Sequence, residues 1–308
     1  MRVAVVDIGS NSTRLLVADV DGTVRELERR SIVTRLGEGV DATGRLGDAP
    51  QQRVFDVLEK YASAIEEHGC DRRSAVLTSA VRDAANGAGF AQAVHERYGL
   101  EGRTLSGDEE ARLTFLGATA ARDADGDGDA PLLVVDIGGG STELVTGTGG
   151  EVAFHVSTQA GVVRHTERHL HDDPPSEAQM RALAEDARAV FEAAVPREVS
   201  ERVGGAVAVA GTATSCAAID LALDPYDADR VEGHVVSADR LADIRARVAA
   251  LPLAERREVK GLHPDRAATI VAGTILLGEV MAAFGLDRFE ASEHDILWGV
   301  ALDGAPES

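Results

Sequence analysis

The sequence predicts an α/β protein built from two related lobes, and three observations carry that prediction. The chain has 308 residues, roughly twice a typical domain of about 150. Aromatic residues make up only 4%, so the core must be assembled from Ala, Val, Leu and Ile, which suits buried parallel strands and Ala-rich helices. The third observation is an internal duplication. Val5-Val6-Asp7-Ile8-Gly9-Ser10-Asn11-Ser12-Thr13-Arg14-Leu15 returns as Val134-Val135-Asp136-Ile137-Gly138-Gly139-Gly140-Ser141-Thr142-Glu143-Leu144, identical at eight of eleven positions across an offset of 129.

Each copy reads as a buried strand ending in Asp, a Gly/Ser turn, and a second strand, Leu15-Leu16-Val17-Ala18 or Leu144-Val145. In the first lobe a third strand follows near 24–33. Next comes a helix near 50–67, with Val54, Leu58, Ala62 and Ile65 on its apolar face. A strand near 75–78, a helix near 90–98, a strand near 103–105 and a helix near 109–121 complete that lobe. The acidic stretch Asp123-Ala124-Asp125-Gly126-Asp127-Gly128-Asp129 reads as the linker. It imitates the first half of an EF-hand loop, but its twelfth position is Val134 where calcium would need a bidentate Glu, so a solvated linker is the better reading. The second lobe repeats the hairpin, a strand near 152–157 and a helix. A longer helix over 177–194, opened by Pro174-Pro175-Ser176, follows. Ala206-Val207-Ala208-Val209-Ala210 then reads as a strand entering a Gly/Thr turn at Gly211-Thr212-Ala213-Thr214-Ser215, a third candidate ligand loop. A helix near 266–284, a strand near 289–291 and a last helix after Ser292 end the chain.

Charge narrows the function. The net charge of −21 argues against non-specific nucleic-acid binding. Only Lys60 and Lys260 are lysines among 31 basic residues, so an anionic substrate would have to be met by arginine. Two cysteines, Cys70 and Cys216, form neither a disulfide framework nor a thiolate zinc pattern. An early Asp7 interrupts any secretory apolar segment, and no purely apolar run of membrane-spanning length occurs; a soluble cytoplasmic protein is expected.

The hairpins point to phosphate chemistry. Glycines let backbone N–H groups approach a ligand, Ser and Thr hydroxyls add donors, and an Asp at the strand end offers a hard oxygen to Mg²⁺. Two such loops facing each other would clamp adjacent phosphates with metal between them. A single copy would more simply be a Gly-rich β-turn; the duplication favours the ligand reading. His165, His169 and His171 include a pair sharing a helical face, but the order His-Thr-Glu-Arg-His lacks a metalloprotease pattern, and a solvated helix face is expected.

These residues resemble the exopolyphosphatase/guanosine pentaphosphate phosphatase family, within the actin-like and sugar-kinase-like ATPase superfamily. Besides the two hairpins, the resemblance rests on Ser79-Ala80-Val81-Arg82-Asp83-Ala84 and Ser106-Gly107-Asp108-Glu109-Glu110-Ala111-Arg112-Leu113. It implies two ribonuclease-H-like (actin-like ATPase) domains, 1–125 and 126–308, with the last helix packing back on the first, and an interdomain active-site cleft. It further implies a homodimer, dependence on Mg²⁺ with Mn²⁺ as the alternative ion, and removal of terminal orthophosphate from inorganic polyphosphate or guanosine pentaphosphate. Longer relatives carry an additional helical domain, so the short form implies a preference for short polyphosphate.

By the same resemblance Glu110 is the catalytic carboxylate that orients or deprotonates water, together with Asp136. From the residues alone Glu110 reads first as a helix-N-terminal acid, a description that suits Asp108 and Glu109 better still. Gly9, Ser10, Asn11, Ser12, Arg82, Gly138, Gly139, Gly140, Ser141, Thr142, Gly211 and Thr212 are the implied phosphate ligands. Asp7, Asp136 and Glu143 are the implied metal ligands, while Arg164 and Arg266 are weaker phosphate candidates. Trp298 stands where many relatives have Arg, and it is assigned no role. The motifs do not separate polyphosphate from guanosine pentaphosphate. An ATP-using phosphotransferase of the same superfamily, or a nucleotide-binding sensor, would keep the hairpins but give no reason for the Glu110 motif.

Overall fold

The computed structural model describes residues 1–120, 130–148 and 151–303. The acidic stretch 123–129 and the expected boundary at 125/126 lie outside the described residues. The chain divides into two compact units, Met1–Ala120 with the C-terminal stretch from His294, and the intervening chain up to Glu293.

In the first unit the duplicated segment forms β1 (Arg2–Ile8) and β2 (Ser12–Val20), continued by β3 (Val24–Val33). A short α1 (Val40–Thr43) and the long α2 (Asp48–His68) lead to β4 (Arg72–Leu77). Then come α3 (Ser79–Asp83), α4 (Gly87–Tyr98), β5 (Glu101–Thr104) and α5 (Gly107–Thr119). The sheet order is β3-β2-β1-β4-β5, antiparallel through the meander and parallel from β1 onward. Strand alternation sends β1 into two cores. Ala4, Val6 and Ile8 pack with Val54, Leu58 and Tyr61 of α2, whereas Val3 and Val5 pack with Leu113 of α5 and Leu297 near the C-terminus. Both faces of β1 are covered, which is why it reads as a continuous apolar run.

The second unit repeats the scheme with β6 (Leu132–Ile137), β7 (Thr142–Thr148) and β8 (Glu151–Thr158). Helices α6 (Val162–His169), α7 (Glu177–Ala194) and α8 (Arg197–Ser200) precede β9 (Gly205–Val209). Beyond it lie α9 (Ala210–Asp220), α10 (Ala228–Val231), β10 (Val235–Ser237), α11 (Ala238–Ala249) and α12 (Leu253–Arg256). A 3₁₀ turn at Pro264–Arg266, α13 (Ile270–Ala283) and β11 (Arg288–Ala291) close this unit. Its sheet runs β10-β11-β9-β6-β7-β8, so β8-β7-β6-β9-β11 matches the first sheet, with β10 added antiparallel at the edge. These are two ribonuclease-H-like sheets of the actin-like type. Finally α14 (Ile296–Asp303) belongs to the first unit and lies on α5.

One expected element is overturned. Gly211 to Ser215 were expected as a turn, yet they form the first turns of α9. Gly, Thr and Ser favour turns when solvated. Here 212–219 are all buried, and an unpaired backbone inside a core would cost more than helix formation. The break with β9 falls instead on Ala210, whose φ of 60° is left-handed and costs a non-glycine residue roughly 1–2 kcal/mol.

Candidate functional site

The two hairpin turns close identically. Gly9 N–H donates to Ser12 O and Gly138 N–H to Ser141 O, both at 3.0 Å. Those two amides are engaged in shaping the turns. Ser12 and Thr142 are the first residues of β2 and β7, and the Thr142 hydroxyl donates to the carbonyl of Ala160, so it too serves the fold. Ser10 is likewise drawn inward. Its Oγ lies 2.9 Å from Ser79 Oγ and accepts the Ala80 N–H, tying the first turn to the start of α3. Asn11 anchors the turn from behind, its carbonyl accepting the N–H groups of Thr34 and Arg35.

The duplication breaks at one informative position. Asp7 faces Arg14 across β1 and β2, whereas at the same register in the second unit Asp136 faces Glu143. In the first unit Arg14 donates through Nε to Asp7 Oδ2 at 2.8 Å and through Nη1 to Asp295 Oδ2, while Arg29 reaches the same Asp295 oxygen at 3.2 Å. Burial pushes the Asp7 carboxyl above its ordinary value in spite of Arg14. Burial also acts on Asp295, but Arg14, Arg29 and the Leu297 N–H together outweigh it and hold that carboxyl below the usual range. Arg14, Arg29 and Asp295 were not among the expected site residues.

In the second unit two carboxylates share one stretch of sheet. Asp136 and Glu143 are both buried, and Ser157 Oγ donates to Glu143 Oε1 at 2.8 Å. Helix α6 backs the adjoining loop, since Val162 N–H donates to Gly138 O and the Val163 and Arg164 N–H groups to Gly139 O. Arg164 Nε adds a bond to Gly140 O at 2.9 Å, so this arginine holds the loop. Gly161 makes the approach feasible, because a Cβ there would stand 2.4 Å from both Gly139 O and the Gly140 carbonyl carbon. Gly161→Ala is therefore expected to displace the loop and raise the KM for a phosphate substrate with a stability loss of about 1–3 kcal/mol; steady-state kinetics and thermal unfolding read the two effects.

The histidine expectation is corrected for His165. It is a fully buried residue of α6, with Nδ1 3.2 Å from Gly161 O, and Asp186 of α7 approaches its Nε2 at 3.6 Å. Asp186 is chiefly held by His169 at 2.8 Å and Arg168 at 3.1 Å. The local sequence is polar, but Gly161 lets the helix sink far enough to cover its fourth residue. Burial pushes the His165 imidazole down to about 4, against the pull of Asp186. The unfolded chain then takes up a proton near pH 6.5 and the folded chain only near 4. Stability should thus fall as pH drops through that window, by up to roughly 3 kcal/mol. Thermal unfolding of the wild type and His165→Gln across this range tests it, the variant showing the flatter profile; parallel profiles would refute the assignment.

Glu110 and Arg82 meet in the first unit. Ser106 caps α5 in a reciprocal box that engages Glu109, leaving the next residue to point inward. Glu110 is only 6% exposed. Arg82, near the end of α3, donates through Nη1 to Glu110 Oε2 at 2.8 Å and to Leu105 O at 3.1 Å. The third predicted loop is a helix N-terminus with an arginine on it. A Cβ at Gly211 would fall 1.0 Å from Arg266 Nη1, so the guanidinium lies directly over that glycine. Thr212 in turn sits against Gly273, where a Cβ would come within 2.8 Å of its side chain.

Residues 15–307 match the Ppx/GppA phosphatase family. The chain belongs to that family. Exopolyphosphatase 2 of Mycobacterium tuberculosis is 36% identical over 315 aligned residues covering 98% of both proteins. Among solved structures, an exopolyphosphatase-like protein superposes with a TM-score of 0.91 at 35% identity, over 98% of each chain. The Aquifex aeolicus Ppx/GppA family member superposes at 0.81 with 30% identity, covering 98% of this chain and 97% of that one.

The divalent ion that family membership implies can be tested against the donors present. Asp7 Oδ1 is buried with no hydrogen-bond partner, and the Asp136–Glu143 pair places two carboxylates at one register position. Among the described residues no three His, Cys, Asp or Glu side chains form a cage for a metal. A pair of carboxylates is a donor set that Mg²⁺ commonly takes, with substrate phosphates and water completing its shell. Among the described residues no helix is long and apolar enough to cross a membrane.

Proposed function

We propose that this chain is an exopolyphosphatase that hydrolyses the terminal phosphoanhydride bond of inorganic polyphosphate with release of orthophosphate. The observation that carries the reading is Glu110, a carboxylate shielded from solvent at the start of α5 and held in orientation by Arg82. Phosphoanhydride hydrolysis has a good leaving group and needs little covalent chemistry from the protein. Its requirements are an oriented water, a proton acceptor and compensation of negative charge. Glu110 supplies the acceptor, taking the proton of the attacking water at a carboxylate oxygen.

In an otherwise acidic protein, Arg82 and the turn around Ser10–Ser12 are the phosphate-facing groups proposed for the first unit, and Arg266, the N-terminus of α9 and the turn around Gly139–Ser141 those proposed for the second. Asp136 and Glu143 are the residues proposed to hold Mg²⁺, or Mn²⁺ in its place, in the second unit, and Asp7 is a separate candidate ligand in the first. When bound, the ion neutralises phosphate charge and polarises the phosphoryl oxygens. We place the protein in the cytoplasm as a homodimer, a state that sedimentation velocity reads directly.

The deciding experiment measures orthophosphate release with Mg²⁺ at several salt concentrations from short polyphosphate, guanosine pentaphosphate and ATP in parallel. Fast release from polyphosphate with slow nucleotide turnover is the expected result. Preference for guanosine pentaphosphate would move the activity to that substrate, and release from none of the three would overturn the hydrolase reading.

A further inference from the structure

The Arg82–Glu110 pair poses a chemical problem. A carboxylate oxygen that accepts an arginine hydrogen bond at 2.8 Å is already engaged and is not open to an attacking water. The same guanidinium is one of the groups proposed to bind the phosphate chain. Both roles fall on two side chains at one place, with Arg82 about a fifth exposed and Glu110 almost wholly covered. Solvent thus reaches the arginine of the pair more than the carboxylate. An incoming anion would meet the guanidinium first.

A phosphate group is a strong competitor for that guanidinium. It carries more charge than a carboxylate and matches the planar fork with two parallel hydrogen bonds. Arg82 need not leave its place to respond, because its bond from Nη1 to the Leu105 carbonyl anchors the head from the side of the fold. Glu110 cannot follow it, being fixed in the first turn of α5 beside the Ser106–Glu109 cap.

We propose that Arg82 is a positioning residue that exchanges partners: it holds Glu110 oriented and engaged in the free enzyme and turns to the substrate's phosphate when the chain binds, releasing Glu110 to take a proton from water. Proton acceptance is thereby coupled to occupancy. The inference rests on the reading of Glu110 as the proton acceptor, and adds that substrate binding works against an existing ion pair.

The test is a double-mutant cycle on binding. Calorimetry with Mg²⁺ measures the affinity of imidotriphosphate, a non-hydrolysable short phosphate chain, for the wild type, Glu110→Gln, Arg82→Gln and the double variant. Removing the carboxylate frees Arg82 for the ligand, so Glu110→Gln should bind about 5- to 20-fold more tightly than the wild type, and this gain should vanish in the Arg82→Gln background. An equal gain in both backgrounds would mean that a nearby negative charge had merely been deleted. That result overturns the exchange, as does the absence of any gain. Arg82→Lys provides a second cycle should Arg82→Gln not fold, with the gain reduced by at least half. Failure to bind in all four proteins would remove the proposal together with the phosphate-chain reading. The role of Glu110 as proton acceptor is judged separately, by turnover of Glu110→Gln on short polyphosphate; undiminished turnover defeats that role whatever the binding cycle gives.

Discussion

Glu110→Gln is expected to lower orthophosphate release from short polyphosphate by about a thousandfold without loss of phosphate-chain binding. Glutamine keeps the length and planarity of the side chain, and its amide oxygen can still accept from Arg82, so the first turn of α5 has no reason to move. The cap formed by Ser106 and Glu109 is untouched. The variant loses the capacity to take a proton from the attacking water. Arg82 would lose its charged partner yet keep the Leu105 carbonyl and its access to solvent, which limits the cost to folding. The comparison is a steady-state release assay with Mg²⁺ on both proteins, with circular dichroism to establish that the fold is retained. Turnover within a few-fold of the wild type would defeat the assignment of Glu110. A large fall in turnover with an equal fall in affinity would make it a binding residue.

Much of this arrangement is legible in the sequence because it is local. The hairpins announce themselves through β-branched runs ending in Asp-Ile-Gly, and their repetition at an offset of 129 locates both sheets. The Glu110 motif stands out as an acidic helix start with two acids more than a capping box needs. What the sequence conceals is set by tertiary contact. His165 lies in a polar stretch, and its burial follows from how closely Gly161 lets α6 approach Gly139. The Gly-Thr-Ala-Thr-Ser stretch has turn chemistry, and burial makes it a helix. Arg14 did carry a signal, since it replaces the Glu expected from the second copy, and a charge inversion at a duplicated position calls for a different partner. The partner itself, Asp295, is 281 positions away and nothing near it advertises the contact.

That contact supports the second large effect, a loss of about 3 kcal/mol or more in Asp295→Asn. Asp295 is 1% exposed and stands between two guanidiniums, those of Arg14 and Arg29, and Arg14 also pairs with Asp7. Asparagine preserves shape and can still accept the Leu297 N–H at the start of α14. The substitution therefore removes the negative charge that both guanidiniums face, and little else. Relief by movement is blocked, because α14 is seated on α5 through two glycines. A Cβ at Gly117 would lie 1.9 Å from Asp295 O, and one at Gly299 would lie 1.8 Å from Leu113 O. At neutral pH the midpoint of thermal unfolding should drop by roughly 10 °C, given about 2–4 °C per kcal/mol for units of this size. The pH dependence identifies the cause. Asp295 is held below the ordinary carboxylate range, so its contribution is complete above the unfolded value of 3.8 and disappears as pH falls through the depressed folded value. The gap between wild type and variant should therefore close under strong acid. A gap that persists there would assign the loss to packing instead of charge, and no gap at neutral pH would show that Arg14 and Arg29 are compensated without Asp295.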